Sequence, residues 1–328
     1  MRSKSNLAAD GALMLTTLIW GSTFFMAKDI LGVWPPMAYM FFRFAAAALL
    51  LAALFPRRIL SARGAEWRAG ATLGLLMGVG FGLQAAGQVY TTASKSAFVT
   101  GLTTPLVPFV AYMLLRARPS VENLVGVVLA SLGGLLILAP QGADTSVNFG
   151  DLLTLAATAL FATHITLMSV YARRYDVRQL TALQVVCIAG LFTIVWAGLQ
   201  GWGMFFGTNA LPAALARETL PLAWSARVVW QLVYLATVAT VGAFLLWTWG
   251  QARASATHAA VIFSLEPVFA TAFAVAVIGA SEWMGGRGWL GAGLVFAGII
   301  ISETGWSEAR KAGRERQKTD DILHEAEG

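Results

Sequence analysis

Apolar runs of about 20 residues, cut by short polar or proline-marked breaks, recur along almost the whole chain. That is the length of helix needed to cross the roughly 30 Å hydrocarbon core of a bilayer. The runs predict helices at about 8–28, 37–55, 69–90, 95–115, 123–139, 150–172, 180–200, 229–250, 257–279 and 288–306. Pro35-Pro36, Pro56, Pro119 and Pro140 mark breaks between runs. The longest connection, about 201–228, carries Gly, Pro and Trp and fits an interfacial segment. The first run follows Met1-Arg2-Ser3-Lys4 and looks like a signal peptide. It is long enough to span, however, and further spans follow at once, so it reads as an uncleaved first helix. The pattern predicts an all-α membrane protein, 1–328, with ten transmembrane helices in one membrane domain. The residues from 307 to 328 form a charged cytoplasmic tail.

The runs are also related to one another. Asp10 to Trp20 is followed by Gly-Ser-Thr, and Asp151 to Phe161, at the same separation, by Ala-Thr-His. Gly87-Gln88 opens a polar corner that leads through Ala93-Ser94-Lys95 to a helix reaching Pro105. Gly250-Gln251 opens another, through Ala256-Thr257-His258 to Pro267. Gly126 and Gly133 have the spacing of Gly291 and Gly298. Two repeats of five spans each follow, about 8–139 and 150–306. Duplicating an odd number of spans turns the second copy upside down, the inverted repeat that many transporters use, with the substrate site near the bilayer midplane.

Composition changes the picture mainly by exclusion. Of the 328 residues 57% are hydrophobic and 12% charged, against roughly 25% charged in soluble proteins. Too few charges exist to cover a water-exposed surface of this size, so the lipid bilayer is the solvent. Cys187 is the only cysteine, which excludes an intrachain disulfide and a cysteine zinc cluster. The net charge of +6 does not point to nucleic acid, because the basic residues lie in short segments between spans. Seventeen of the 23 Lys and Arg fall on the side of the N-terminus and five on the other, while Arg43 lies within a span. Positive residues collect on the cytoplasmic side, so both termini are expected there.

Trp20-Gly21-Ser22-Thr23-Phe24, Arg43-Phe44, Ser264-Leu265-Glu266-Pro267 and the glycines before the end of each half resemble the EamA-like branch of the drug/metabolite transporter superfamily. The resemblance covers roughly residues 8–306. It implies a ten-helix bundle in the bacterial inner (plasma) membrane that moves small organic solutes, often outward. Exporters of the YddG type move aromatic and other amino acids. Such families often carry an acidic residue where this chain has Arg116-Ala117-Arg118, and Glu282 keeps it in the second half.

No enzyme motif, ATP-binding loop or metal-ligand spacing is present, and no cofactor is implied. The expected function is therefore secondary transport, facilitated or proton-coupled, exporting small organic metabolites, with amino acids among the candidates. A lipid or amphiphile translocator and a membrane-embedded enzyme are the alternatives. Charged and polar residues inside spans are costly and mark solute paths or structural ties. Glu266, about nine residues into its run, is read as a proton carrier or amine counter-charge, or else as a structural carboxylate beside Pro267. Arg43 is read as a carboxylate ligand, a partner for Glu266, or a snorkelling structural cation. Gln84 and Gln88, four apart on one helix face, lead a polar corner with Tyr90, Thr91, Thr92, Ser94, Lys95 and Ser96 that lines the path or ties helices together. Thr103 is a further residue expected in the path. Trp20, His164, Tyr234, Trp247 and Ser264 complete the expected path, with aromatic faces suited to an aromatic or cationic solute. The first, third, fourth, sixth, eighth and ninth spans should surround the cavity. The fifth and tenth, rich in Gly, Ala, Leu and Val, should be peripheral.

Overall fold

A computed structural model describes residues 7–116, 120–138, 148–171, 174–251, 262–263 and 265–303. Among these residues all regular structure is helical. The helices are α1 (Leu7–Leu31), α2 (Pro36–Leu54), the short α3 (Pro56–Leu60), α4 (Gly64–Gln88), α5 (Ala93–Gly101) and α6 (Thr103–Leu115). They continue with α7 (Val121–Leu138), α8 (Phe149–Tyr171), α9 (Val177–Phe206), the short α10 (Ala213–Ala216) and α11 (Ala226–Ala236). A π-helical segment, Thr237–Gly242, joins α11 to α12 (Ala243–Gln251). The last two are α13 (Glu266–Val277) and α14 (Gly285–Glu303). Seven described segments are long and apolar enough to cross a membrane, and shorter apolar helices cover Leu124–Ile137 and Glu266–Val277. The charged tail lies outside the described residues.

Local chemistry sets the ends. Pro36 opens α2 at a position whose N–H has no partner within the helix. The hydroxyls of Thr92 and Ser225 and the carboxylate of Asp176 accept from the third backbone N–H of α5, α11 and α9. Two buried carboxylates cap helices distant in sequence. Glu218 accepts from Met37 N at 2.9 Å and Ala38 N at 3.1 Å, at the start of α2. Burial pushes the Glu218 carboxyl above its usual range, while these two amides pull it back. Glu282 accepts from Ala93 N at 3.2 Å and Ser94 N at 2.9 Å, at the start of α5. The acidic residue singled out by the family resemblance thus ties the turn after α13 to the first half.

Some boundaries differ from those expected. α4 starts at Gly64, five residues early, and α9 runs on to Phe206, six residues late. In α9 the glycines Gly198, Gly201 and Gly203 do not stop the helix. The fourth run is not continuous, because it turns at Leu102 between α5 and α6. Pro105 has no N–H to offer the Gly101 carbonyl, so the α-helical ladder is interrupted there.

α4 packs on α8 and α9, α2 on α9, and α1 on α12 and α13. Close approach of α1 to α13 depends on Gly21, where a side-chain carbon would lie 2.7 Å from Phe269 Cβ and 3.1 Å from the Ala270 nitrogen. α7 packs mainly on α14. They meet antiparallel through glycines, Gly133 against Gly291 and Gly126 against Gly298. The glycine pairs whose spacing matches in sequence are therefore the pairs that touch.

Candidate functional site

A cavity of about 180 Å³ lies between α1, α2, α4, α5, α6, α8, α12 and the start of α13. One water needs only about 10–15 Å³ of such space, so there is room for a small organic solute. Helical periodicity explains the wall. Trp20, Thr23 and Phe24 share one face of α1, Met77, Phe81 and Gln84 one face of α4, and Phe161 and Ile165 one face of α8. Thr100, Gly101, Thr103 and Thr104 line it at the α5–α6 turn. Neither α7 nor α14 contributes to the wall.

One side of the cavity is aromatic. The Trp20 ring stacks on Phe263, with centroids 5.8 Å apart. It meets Phe244 and Trp247 edge-on at 5.7 and 5.4 Å. Trp20 Nε1 donates to the Ala239 carbonyl at 3.1 Å, which fixes the ring against the π-helical segment. Polar groups occupy other parts of the wall. Gln84 Nε2 donates to Thr100 Oγ1 at 2.9 Å. Arg43, 5% exposed, donates to Tyr39 OH and Thr240 Oγ1, each at 3.1 Å. Glu266 stands at the first turn of α13 beside Pro267, where the helix dipole favours a negative group. Neither Arg43 nor Glu266 has an ion-pair partner among the described residues.

Six residues expected in the path therefore line one cavity: Trp20, Arg43, Gln84, Thr103, Trp247 and Glu266. Five others lie elsewhere, each held by a partner far away in sequence. Lys95 forms a 2.7 Å ion pair with Asp151, which is 1% exposed. Asp151 also accepts from Thr91 Oγ1 at 2.7 Å. Gln88 is buried, and its carbonyl, with that of Thr91, accepts from Lys28 Nζ at 2.7 Å. The Tyr90 ring is half exposed, against Phe149. These residues, with Glu282, form a polar cluster at one end of the bundle instead of a lining. His164 Nε2 bonds Gln184 Oε1 at 2.8 Å between α8 and α9. Tyr234 OH meets Ser22 Oγ at 2.9 Å and ties α11 to α1. Ser264 lies outside the described residues. Thr100, Phe81, Phe161 and Phe263 line the cavity without being expected there, and Asp151 is the unexpected partner of Lys95 in the polar cluster. Only Asp151 carried a signal, as the counterpart of Asp10 in the repeat.

Apolar membrane-length helices around a cavity with a few polar groups define an integral membrane protein with room for a small solute. The EamA-like transporter family model matches residues 7–139 and again 148–304, and the chain belongs to that family, within the drug/metabolite transporter superfamily. An uncharacterized transporter of Archaeoglobus fulgidus is 30% identical over 295 residues, 90% of this chain and 85% of that protein. The uncharacterized transporter YoaV of Bacillus subtilis is 23% identical, over 80% of this chain and 85% of its own. The uncharacterized inner membrane transporter YedA of Escherichia coli K12 is 28% identical over 61% of this chain and 62% of its own. A solved crystal structure aligns with a TM-score of 0.61 at 18% identity, over 91% of this chain and 97% of that one. That likeness concerns the fold.

Proposed function

We propose that the protein is a secondary transporter that exports small organic metabolites, amino acids including aromatic ones among them, by alternating access. The observation that carries this reading is the cavity itself, where an aromatic wall of Trp20, Phe244, Trp247 and Phe263 accompanies Arg43 and Glu266, neither of which has an ion-pair partner among the described residues. A solute with an apolar or aromatic body and complementary charges fits that lining. The test is uptake by proteoliposomes of a panel of labelled amino acids and other metabolites, with and without a pH gradient. Transport of none of them would defeat the proposal.

Ten spans in two inverted halves, about 8–139 and 150–306, are part of the same reading. Support comes from the two family matches, one to each half. It comes also from contacts that repeat. A side-chain carbon at Gly87 would lie 2.6 Å from the Gly150 carbonyl, and one at its counterpart Gly250 would lie 3.2 Å from the carbonyl of Ala9. Both termini are then cytoplasmic, in a bacterial inner membrane. Reporter fusions at about residue 145 and at the C-terminus should report opposite sides of the membrane. Finding them on the same side rejects the inversion.

Proton coupling, on this reading, runs through Glu266, the carboxylate at the cavity. Glu266→Gln keeps the shape and removes the titration. The variant is expected to exchange substrate across the membrane yet lose accumulation driven by a pH gradient. Gradient-driven accumulation that survives in the folded variant eliminates Glu266 as carrier.

A further inference from the structure

The π-helical segment between α11 and α12 stands at the cavity edge, and both of its side-chain ties to the first half reach residues of the cavity wall. The Ala239 carbonyl receives Trp20 Nε1. Thr240 Oγ1 donates to the Leu235 carbonyl five residues back, at 2.8 Å. The hydroxyl proton is thereby committed, and its oxygen accepts from Arg43 Nε at 3.1 Å. Single π turns inside α-helices are rare and concentrate at functional sites.

Arg43 is held from two sides. Tyr39 OH takes Nη1, Thr240 takes Nε, and the rings of Phe44 and Phe81 flank the guanidinium, with centroids 5.2 and 5.4 Å from Cζ. A guanidinium has five N–H donors in a planar fork. These two hydrogen bonds leave three donors without a protein acceptor among the described residues. The acceptors are neutral hydroxyls, and Arg43 has no ion-pair partner among the described residues. A buried cation is costly unless an anion or water meets it.

We propose that Thr240, presented by the π-helical segment, is a positioning residue that with Tyr39 aims the free side of the Arg43 fork into the cavity as a receptor for the carboxylate of the solute. This rests on the transport reading above and narrows it. The solutes carry a carboxylate, and a matching molecule with a carboxamide in its place is discriminated against. A planar fork pairs with a carboxylate through two parallel hydrogen bonds, and a neutral carboxamide cannot accept both.

The test uses matched pairs that differ only at that group: L-phenylalanine and L-phenylalaninamide, L-leucine and L-leucinamide, acetate and acetamide. Binding to the purified full-length protein is measured by ligand-induced thermal shift and by equilibrium dialysis. Exchange is measured in proteoliposomes. The parent is expected to bind the carboxylate of at least one pair about tenfold or more tightly than its amide. Thr240→Val removes the acceptor at nearly constant volume. It should weaken the carboxylate about tenfold and leave the amide unchanged, raising KM with little change in kcat. Thr240→Ser should restore parental behaviour. Tyr39→Phe, on a different helix, should give the same selective loss, and it decides the matter if Thr240→Val fails to fold. A parent that prefers amides or binds no carboxylate overturns the proposal, as do variants that weaken both members of a pair alike. Uptake of uncharged or cationic solutes in the wider panel would overturn this inference while leaving the transport reading in place.

Discussion

Asp151→Ala is expected to destabilise the folded protein by about 3 kcal/mol, toward the lower end of the range for breaking a buried ion pair. Asp151 is 1% exposed and receives Lys95 Nζ, Thr91 Oγ1 and the Asn148 amide. Removing the carboxylate leaves the Lys95 ammonium without its anion and Thr91 without its acceptor. The Lys95 side chain keeps 16% exposure, so it can shift part of its charge toward water, which lowers the expected loss. Lys95→Met in the same background should recover most of the stability, because an apolar pair of similar volume tolerates burial better than a lone charge. Thermal unfolding of the parent, both single variants and the double variant closes the cycle. A single Asp151→Ala variant as stable as the parent would show that the pair contributes nothing.

The second large effect is steric. Gly291→Leu should prevent α7 and α14 from reaching their present separation. Even the first carbon of a side chain there would lie 2.6 Å from the Gly133 carbonyl oxygen and 2.9 Å from Ile137 Cγ1. Backbone sits opposite, so no rotamer change relieves the overlap. Overpacking of this kind costs about 1–3 kcal/mol and sometimes more. Gly293→Ala is the control, two residues along the same helix and facing open space. It should be neutral or slightly stabilising, since alanine favours helix over glycine. Melting curves in one detergent, measured side by side, decide the point. Equal losses in both variants would mean that the helix tolerates no substitution, whatever it faces.

The helices and half of the site were legible from one physical rule. In lipid, a polar side chain within a span must turn inward, so Trp20, Arg43, Gln84, Thr103, Trp247 and Glu266 announced themselves by contrast with their neighbours. Phe81, Phe161 and Phe263 line the same wall, but a phenyl ring, which has no polar atom, contrasts with nothing in an apolar run. Lys95 reads as a path residue from its place in the polar corner, and His164 from its depth within a span. Asp151 lies 56 residues from Lys95 and Gln184 lies 20 from His164, and only the packing of α5 on α8, and of α8 and α9 on α4, unites them. Helix ends were less legible. Gly and aromatic residues at the end of α9 read as a loop in water, whereas a membrane helix carries them without breaking. The π-helical stretch Thr237–Gly242 left no mark, because Thr-Val-Ala-Thr-Val-Gly reads as an ordinary span.

The crossing of α7 and α14 has a bearing on ancestry. A junction made where two main chains touch through glycine contains no chemical vocabulary, so it holds the molecule together without reference to the cargo. The residues that line the cavity stand on other helices, Trp20, Arg43 and Glu266 among them. Substitutions that retool the cavity for a different solute thus leave the junction untouched, while the junction admits almost no change of its own. Within one lineage, the glycines of this crossing should drift slowly and the cavity wall quickly, and a scaffold partitioned in this way can acquire new cargo without first losing its shape.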